Sequence, residues 1–177
     1  MLKISEPELQ SRLLKIKLLA LDVDGVLTDG GLYYTESGEE LKKFNIKDGQ
    51  GLKKLMQFGV EVAIISANSS KSTLHRTQKL GITHSFINVE DKLSVLKDLC
   101  LQLSISLSEV AYVGDDDNDL PVLQAVGCPF TVADAMPENK ARAIYVTRKS
   151  GGQGAVREIC DLLINSRLNF KNQFICA

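Results

Sequence analysis

Short apolar runs alternate with amphipathic stretches along almost the whole chain, and this alternation limits the possible folds more than any other feature. The runs are Leu18 to Val23, Val60 to Ser66, Phe86 to Val89, Val110 to Val113, Pro129 to Val132 and Ala143 to Val146. Between them, patterns of helical period cover Gly49 to Phe58, Ser70 to Leu80, Asp91 to Leu103, Asp119 to Val126, Glu138 to Ala141 and Gly154 to Ser166. Uniformly apolar strands separated by helices are the signature of a parallel sheet covered on both faces. The expected fold is therefore α/β, a doubly wound parallel sheet, and 177 residues suit one domain over 1–177.

Composition narrows the function classes. Apolar residues make up 44% and charged residues 24%, and 21 Lys+Arg against 22 Asp+Glu leave a net charge of -1. Such a chain is neither disordered nor drawn to polyanions, so no nucleic-acid partner is expected. Its longest apolar runs fall far short of the roughly 20 residues that span a bilayer. With Glu6, Glu8 and Lys15 the N-terminal stretch has no signal-peptide core, so the expectation is a cytoplasmic protein with no membrane partner. Cys100, Cys128, Cys160 and Cys176 form no C-x-x-C pair, which argues for inert thiols rather than a zinc site. His75 and His84 read as surface and loop residues.

One segment breaks the alternation. Leu32-Tyr33-Tyr34, a turn-rich stretch from Thr35 to Glu40, and Leu41 to Phe44 read as a β-hairpin inserted at about 30–45. Leu32, Tyr33, Tyr34, Leu41 and Phe44 are more apolar groups than a small solvated ribbon carries, and a lone hairpin is marginal in water. The hairpin is expected to pack against another subunit, making a homo-oligomer.

The chemistry gathers at strand ends. The run Leu18 to Leu21 leads directly into Asp22-Val23-Asp24-Gly25, with carboxylates at i and i+2 on one side of the strand. They can share a cation or a phosphate, although strand-end turn residues would look the same in isolation. Val113-Gly114-Asp115-Asp116-Asp117-Asn118-Asp119 repeats the pattern, and acids this dense repel unless a hard cation lies among them, which favours Mg²⁺. Ser66-Ala67-Asn68 ends another apolar run with a hydroxyl and free backbone N–H groups beside a helix start. Lys92 opens the next helix, where its charge opposes the helix dipole unless it neutralises an anion. An open parallel sheet brings such strand ends together at its carboxyl edge.

The ordered set D-x-D-G, S, K and G-D-D-x-N-D resembles the haloacid dehalogenase superfamily of phosphohydrolases, from Lys15 to about Arg167. The resemblance implies that Asp22 is the nucleophile forming an aspartyl-phosphate and that Asp24 is the acid and base. It assigns Ser66, Ala67, Lys92 and Asn118 to the phosphate. Mg²⁺ falls to Asp22, Asp24 through its backbone carbonyl, and Asp115, with Asp116 and Asp119 supporting.

Members of this superfamily commonly carry a cap domain between these motifs. Here 44 positions separate Asp22 from Ser66 and 26 separate Ser66 from Lys92, which leaves no room for one. Three stretches, Ala20 to Gly30, Lys43 to Gly49 and Gly151 to Glu158, are similar to the capless phosphatases of phosphorylated octulosonic and nonulosonic acids. That resemblance implies a phosphorylated sugar-acid substrate, an octulosonate 8-phosphate ahead of a nine-carbon acid 9-phosphate. It also implies a homotetramer with central hairpins and sites covered by neighbouring subunits. The family usually reads T-G-R where this chain has Ser66-Ala67-Asn68, so Asn68 brings an amide where a guanidinium would pair with the substrate. Arg76, on the following helix, is a second substrate candidate and equally a solvated helix-face residue. The loop Ser150 to Gly154 is expected to cross toward a neighbouring site, and the tail from Lys171 to Ala177 is a further candidate for covering the cleft. A receiver-type signalling domain uses similar residues in the opposite order along the chain. A silent oligomerisation module would not need Asp22, Asp24, Ser66, Lys92 and Asp115 together.

Overall fold

The computed structural model describes residues 2 and 4–175, with side chains as far as Phe170. The expected readings of Cys176 and of the tail side chains from Lys171 lie outside the described residues. Six parallel strands form one sheet in the order β5-β4-β1-β6-β7-β8. They are β1 (Leu18–Leu21), β4 (Glu61–Ile65), β5 (His84–Phe86), β6 (Val110–Val113), β7 (Cys128–Thr131) and β8 (Tyr145–Val146). The chain steps from β1 through β4 to β5 on one side and returns through β6 to β8 on the other. The crevice at the carboxyl end of β1 is therefore the point where the winding reverses.

Helices α1 (Glu6–Lys15), α2 (Ile46–Gln57) and α7 (Ala155–Ile175) cover one face. Helices α4 (Lys92–Leu103) and α5 (Leu120–Ala125) cover the other, while α3 (Lys71–Leu80) and α6 (Pro137–Arg142) complete the crossovers. Strand β1 shows why its run is wholly apolar: Leu19 and Leu21 pack with Leu52, Leu55 and Ile159, and Leu18 and Ala20 pack with Leu96, Leu99 and Val122. Alternate residues thus enter two separate cores.

The helical start at residue 6 was not apparent from periodicity. Its signals are local: Ser5 accepts a hydrogen bond from the Glu8 N–H at 3.3 Å, Pro7 sits in the first turn, and Arg12 and Lys15 close the last. Helix α2 begins at Ile46 rather than Gly49 because the Asn45 side chain caps the Lys47 N–H at 2.8 Å. Strand β5 ends at Phe86 rather than continuing to Val89. Asn88 takes a left-handed φ of 57°, and the chain then pairs with the next loop, Asn88 N–H to the Asn68 carbonyl at 3.2 Å and Val89 N–H to the Ser66 carbonyl at 3.1 Å.

The insertion is a two-stranded ribbon, β2 (Tyr33–Tyr34) antiparallel to β3 (Glu40–Leu41). Leu32, Tyr33, Tyr34 and Leu41 are exposed, but Phe44 is not free for another subunit as expected. It packs on the core, with the Arg76 guanidinium 5.6 Å above its ring. The loop Ser150 to Gly154 also differs from its expected crossing. Gly151 and Gly152 are buried against the loop after β1 of the same chain, and Gly152 N–H donates to the Val26 carbonyl at 3.1 Å. A Cβ on Gly151 would overlap the Gly25 carbonyl oxygen, so this close approach requires glycine.

Candidate active site

The loop after β1 carries Asp22 and Asp24 over the sheet edge. Asp22 extends the strand, its N–H bonded to the Val113 carbonyl at 2.9 Å. Thr28 then closes the loop: its Oγ1 accepts from Gly25 N–H and Gly30 N–H, both at 3.3 Å, and donates to the Val23 carbonyl at 3.4 Å. Gly25 has φ 79°, and a side chain there would run into the Asp115 carboxylate. Two independent constraints thus select glycine after the second aspartate.

Around this loop lies a cleft of about 360 Å³ lined by Asp22, Asp24, Gly25, Gly30, Ser66, Ala67, Asn68, Asp115, Asp116 and Asn118. Ser66 is buried, its backbone held by Phe86 and Val89, and its Oγ accepts the Asn68 N–H at 3.2 Å. Lys92 stands behind the floor of the cleft with its side chain 1% exposed. Its Nζ lies 2.9 Å from Asp22 Oδ2, 2.7 Å from Asp119 Oδ1 and 3.3 Å from Asn118 Oδ1. The structure thus brings ten of the eleven sequence candidates to one place, with Lys92 and Asp119 reaching it from behind. Arg76 stands apart, donating to the Asn45 carbonyl at 2.9 Å and bracing the start of α2.

Asp119 is wholly buried and occupied on both oxygens. Oδ1 accepts from Tyr112 Oη at 2.6 Å and from Lys92, while Oδ2 accepts the N–H groups of Asp115 at 2.9 Å and Asp116 at 3.3 Å. It organises the second acidic loop. That loop is also tied by Thr131 Oγ1 to the Gly114 carbonyl at 2.6 Å and by Asn139 Nδ2 to the Asp116 carbonyl at 2.9 Å.

The electrostatics call for a cation. Burial, then repulsion from Asp119, pushes the Asp22 pKa up to about 6 despite Lys92 and the Val23 N–H. Burial, then repulsion from Asp22, Asp119 and Asp116, pushes Asp115 to about 8. Burial works against the Lys92 ammonium, but Asp22 and Asp119 outweigh it and raise its pKa. Asp22, Asp115 and Asp119 each offer an oxygen within 4.8 Å of the others, and Asp115 Oδ1 is buried with no hydrogen-bond partner. An all-oxygen donor set with an orphaned carboxylate oxygen fits Mg²⁺. Asp119 is held by four donors, and Asp115 Oδ1 is the carboxylate oxygen left open to a cation, beside Asp22.

Sequence reasoning missed Lys42, Thr28 and Tyr112. Lys42, just beyond β3, places Nζ 2.6 Å from both Asp24 oxygens and 3.4 Å from Glu40 Oε1. In sequence it is one of two adjacent lysines, Lys42 and Lys43, between Leu41 and Phe44, and nothing there sets it apart from its neighbour.

This sheet-edge cluster of carboxylates, lysine and hydroxyl defines a metal-dependent hydrolase of phosphoryl groups. Residues 89–159 match the family model of the haloacid dehalogenase-like hydrolases. The chain is 50% identical to the 3-deoxy-D-manno-octulosonate 8-phosphate phosphatase KdsC of Escherichia coli strain K12, over 84% of this chain and 79% of that one. It is 47% identical to the same-named protein of Salmonella typhimurium strain LT2, over 89% and 84%. A crystal structure of the Moraxella catarrhalis 3-deoxy-D-manno-octulosonate 8-phosphate phosphatase, in complex with magnesium ion, phosphate ion and KDO, superposes with a TM-score of 0.91. The identity is 40%, over 97% of this chain and 98% of that one. The chain belongs to the haloacid dehalogenase-like hydrolases, among the phosphatases of that family.

Proposed function

We propose that this chain releases phosphate from 3-deoxy-D-manno-octulosonate 8-phosphate with Mg²⁺ bound. The observation that carries the reading is the uncapped cleft, in which Asp22 is backed by Lys92 and faced by Asp24 and Asp115, in a chain matching the octulosonate phosphatases over most of its length.

In this reading an Asp22 oxygen forms a bond to phosphorus as the ester P–O bond breaks, and Asp24 gives its proton to the departing sugar oxygen. Asp24 then takes a proton from water, the water oxygen attacks the aspartyl-phosphate, and Asp22 is regenerated with release of inorganic phosphate. Lys92, the Ser66 hydroxyl, the Ala67 N–H and Asn118 hold the phosphoryl oxygens and screen the approach of one anion to another. Asp22, the Asp24 carbonyl and Asp115 would hold Mg²⁺, which when bound offsets the charge developing on the phosphoryl group.

Asn68 lines the cleft where the family resemblance implies arginine, so the choice of sugar acid rests on the sequence match, and a nine-carbon sugar-acid 9-phosphate is the second reading. The exposed Leu32, Tyr33, Tyr34 and Leu41, between 52% and 62% accessible, support a homo-oligomer joined through its hairpins, a tetramer by the family resemblance. Among the described residues no helix is long and apolar enough to cross a membrane. Comparing kcat/KM for the two sugar-acid phosphates with Mg²⁺ tests the substrate. A large preference for the nine-carbon ester would replace the octulosonate assignment, and no phosphate release from either would remove it.

A further inference from the structure

Of the carboxylates gathered at this site, Asp22, Asp119 and Asp24 are held in different ways. Asp22 is pinned by the Val23 N–H at 2.7 Å and by Lys92, and Asp119 by four donors. Among the described residues the Asp24 carboxylate has no backbone donor. Among the described residues, only Lys42 is within hydrogen-bonding distance of its carboxylate, with Nζ 2.6 Å from each oxygen.

The Lys42 side chain has no exposed surface, whereas that of Asp24 is 34% exposed and lines the cleft. The lysine therefore stands behind the carboxylate and leaves its open side to the substrate. Glu40, two residues earlier on the ribbon, lies 3.4 Å from the same Nζ and keeps the ammonium on this face. Burying a lysine is costly unless it is paired, and a surface pair would anchor the ribbon without that penalty. Such a pair exists next door, where the largely exposed Lys43 meets Asp29 at the far end of the same loop. Anchoring alone leaves the buried Lys42 unexplained.

We propose that Lys42 is a positioning residue that fixes the direction of the Asp24 carboxylate toward the ester oxygen. The inference rests on the reading of Asp24 as proton donor and base. A carboxylate held by two equal contacts to one ammonium is kept from swinging away from the oxygen it must serve. An error of about 1 Å in such placement costs up to about 100-fold in rate.

The test uses two esters in the full-length protein with Mg²⁺. The sugar phosphate leaves as an alkoxide that needs a proton; p-nitrophenyl phosphate leaves as a phenolate that needs none. The ratio kcat/KM stops reporting once the alcohol has departed, so it isolates the step in which Asp24 acts as acid. Lys42→Met is expected to lower kcat/KM for the sugar phosphate by about 10- to 100-fold and for p-nitrophenyl phosphate only a few-fold. Lys42→Arg should restore much of the loss. In an Asp24→Asn background Lys42→Met should cost nothing further, and Lys43→Met should show no dependence on the leaving group. Equal losses on both esters, or no loss on either, would overturn the positioning role while the wild-type activity still supports the proposed function. An inactive wild-type protein would instead remove the proposed function, and this inference with it.

Discussion

Lys92 Nζ lies 2.9 Å from Asp22 Oδ2, and this contact links the first residue of α4 to the first residue beyond β1. A buried ammonium beside a buried carboxylate keeps the latter available as an anion where burial alone would protonate it. The same ammonium contacts Asp119, so one cation joins the loops of two strands that flank the crevice.

Replacing Asp22 with Asn should abolish phosphate release while leaving the fold in place, because the amide keeps the shape and the Val23 N–H contact. Phosphate release and circular dichroism on the same sample check this. Undiminished turnover would exclude Asp22 as the nucleophile. Lys92→Met should be worse for stability, since it strands Asp119 in the interior; about 3 kcal/mol is expected from denaturant unfolding.

Stability without metal should fall as pH rises. Asp22 and Asp115 titrate near 6 and 8 in the folded chain, above the ordinary carboxylate value of 3.8, so the folded state binds more protons than the unfolded state between about pH 4 and pH 8. Their repulsion is absent at the acid end of this window and complete at the alkaline end. Mg²⁺ removes it, so the metal should raise Tm more at about pH 8 than at about pH 5.5. Thermal melts in EDTA and in Mg²⁺ at both values test the sign; a larger effect at the acid end would contradict the charge account.

Asp48 ties the Lys43 to Gly49 stretch to the glycine loop. It accepts the N–H groups of Arg157 at 2.8 Å and Gly154 at 3.3 Å, capping the first turn of α7. Asp48→Ala should cost about 1–2 kcal/mol in urea unfolding, with Asp48→Asn recovering part of it. Equal stability of the alanine variant would show that the cap is idle.

Gly151→Ala should affect activity out of proportion to stability, because the added methyl pushes on the Gly25 carbonyl at the turn that positions Asp24. Comparing kcat with Tm for this variant separates the two effects. A normal kcat would show that the loop absorbs the displacement.

Changing Tyr33 and Tyr34 to Ser should shift the assembly toward smaller species in sedimentation at several concentrations. Both side chains are more than half exposed in the single chain, so their loss should leave its folding intact. An unchanged sedimentation coefficient would place the interface elsewhere.

The β-strands and most helices are legible in the sequence because each apolar run feeds two cores at once, as Leu18 to Leu21 do. Nine of the eleven candidate residues are legible because they sit at strand ends or the adjoining turns, which a parallel sheet must gather at one edge, and Lys92 because its charge opposes the dipole at the start of α4. Lys42 was not, since its approach to Asp24 depends on how the ribbon folds over the loop after β1. Tyr112 was hidden for another reason: within an apolar strand it reads as core, and only the position of Asp119 shows that its hydroxyl is used. The glycines at 151 and 152 signal a turn in sequence, but the Val26 carbonyl that accepts the Gly152 N–H lies far away along the chain.

The covalent role of Asp22 is tested by quenching turnover with acid within milliseconds of adding the octulosonate 8-phosphate and Mg²⁺, then measuring the mass of the peptide containing Asp22. A phosphoryl group is expected on Asp22, absent from Asp22→Asn and decaying as inorganic phosphate appears. Phosphate release with no modified peptide at any quench time, or with the label on another residue, would contradict it.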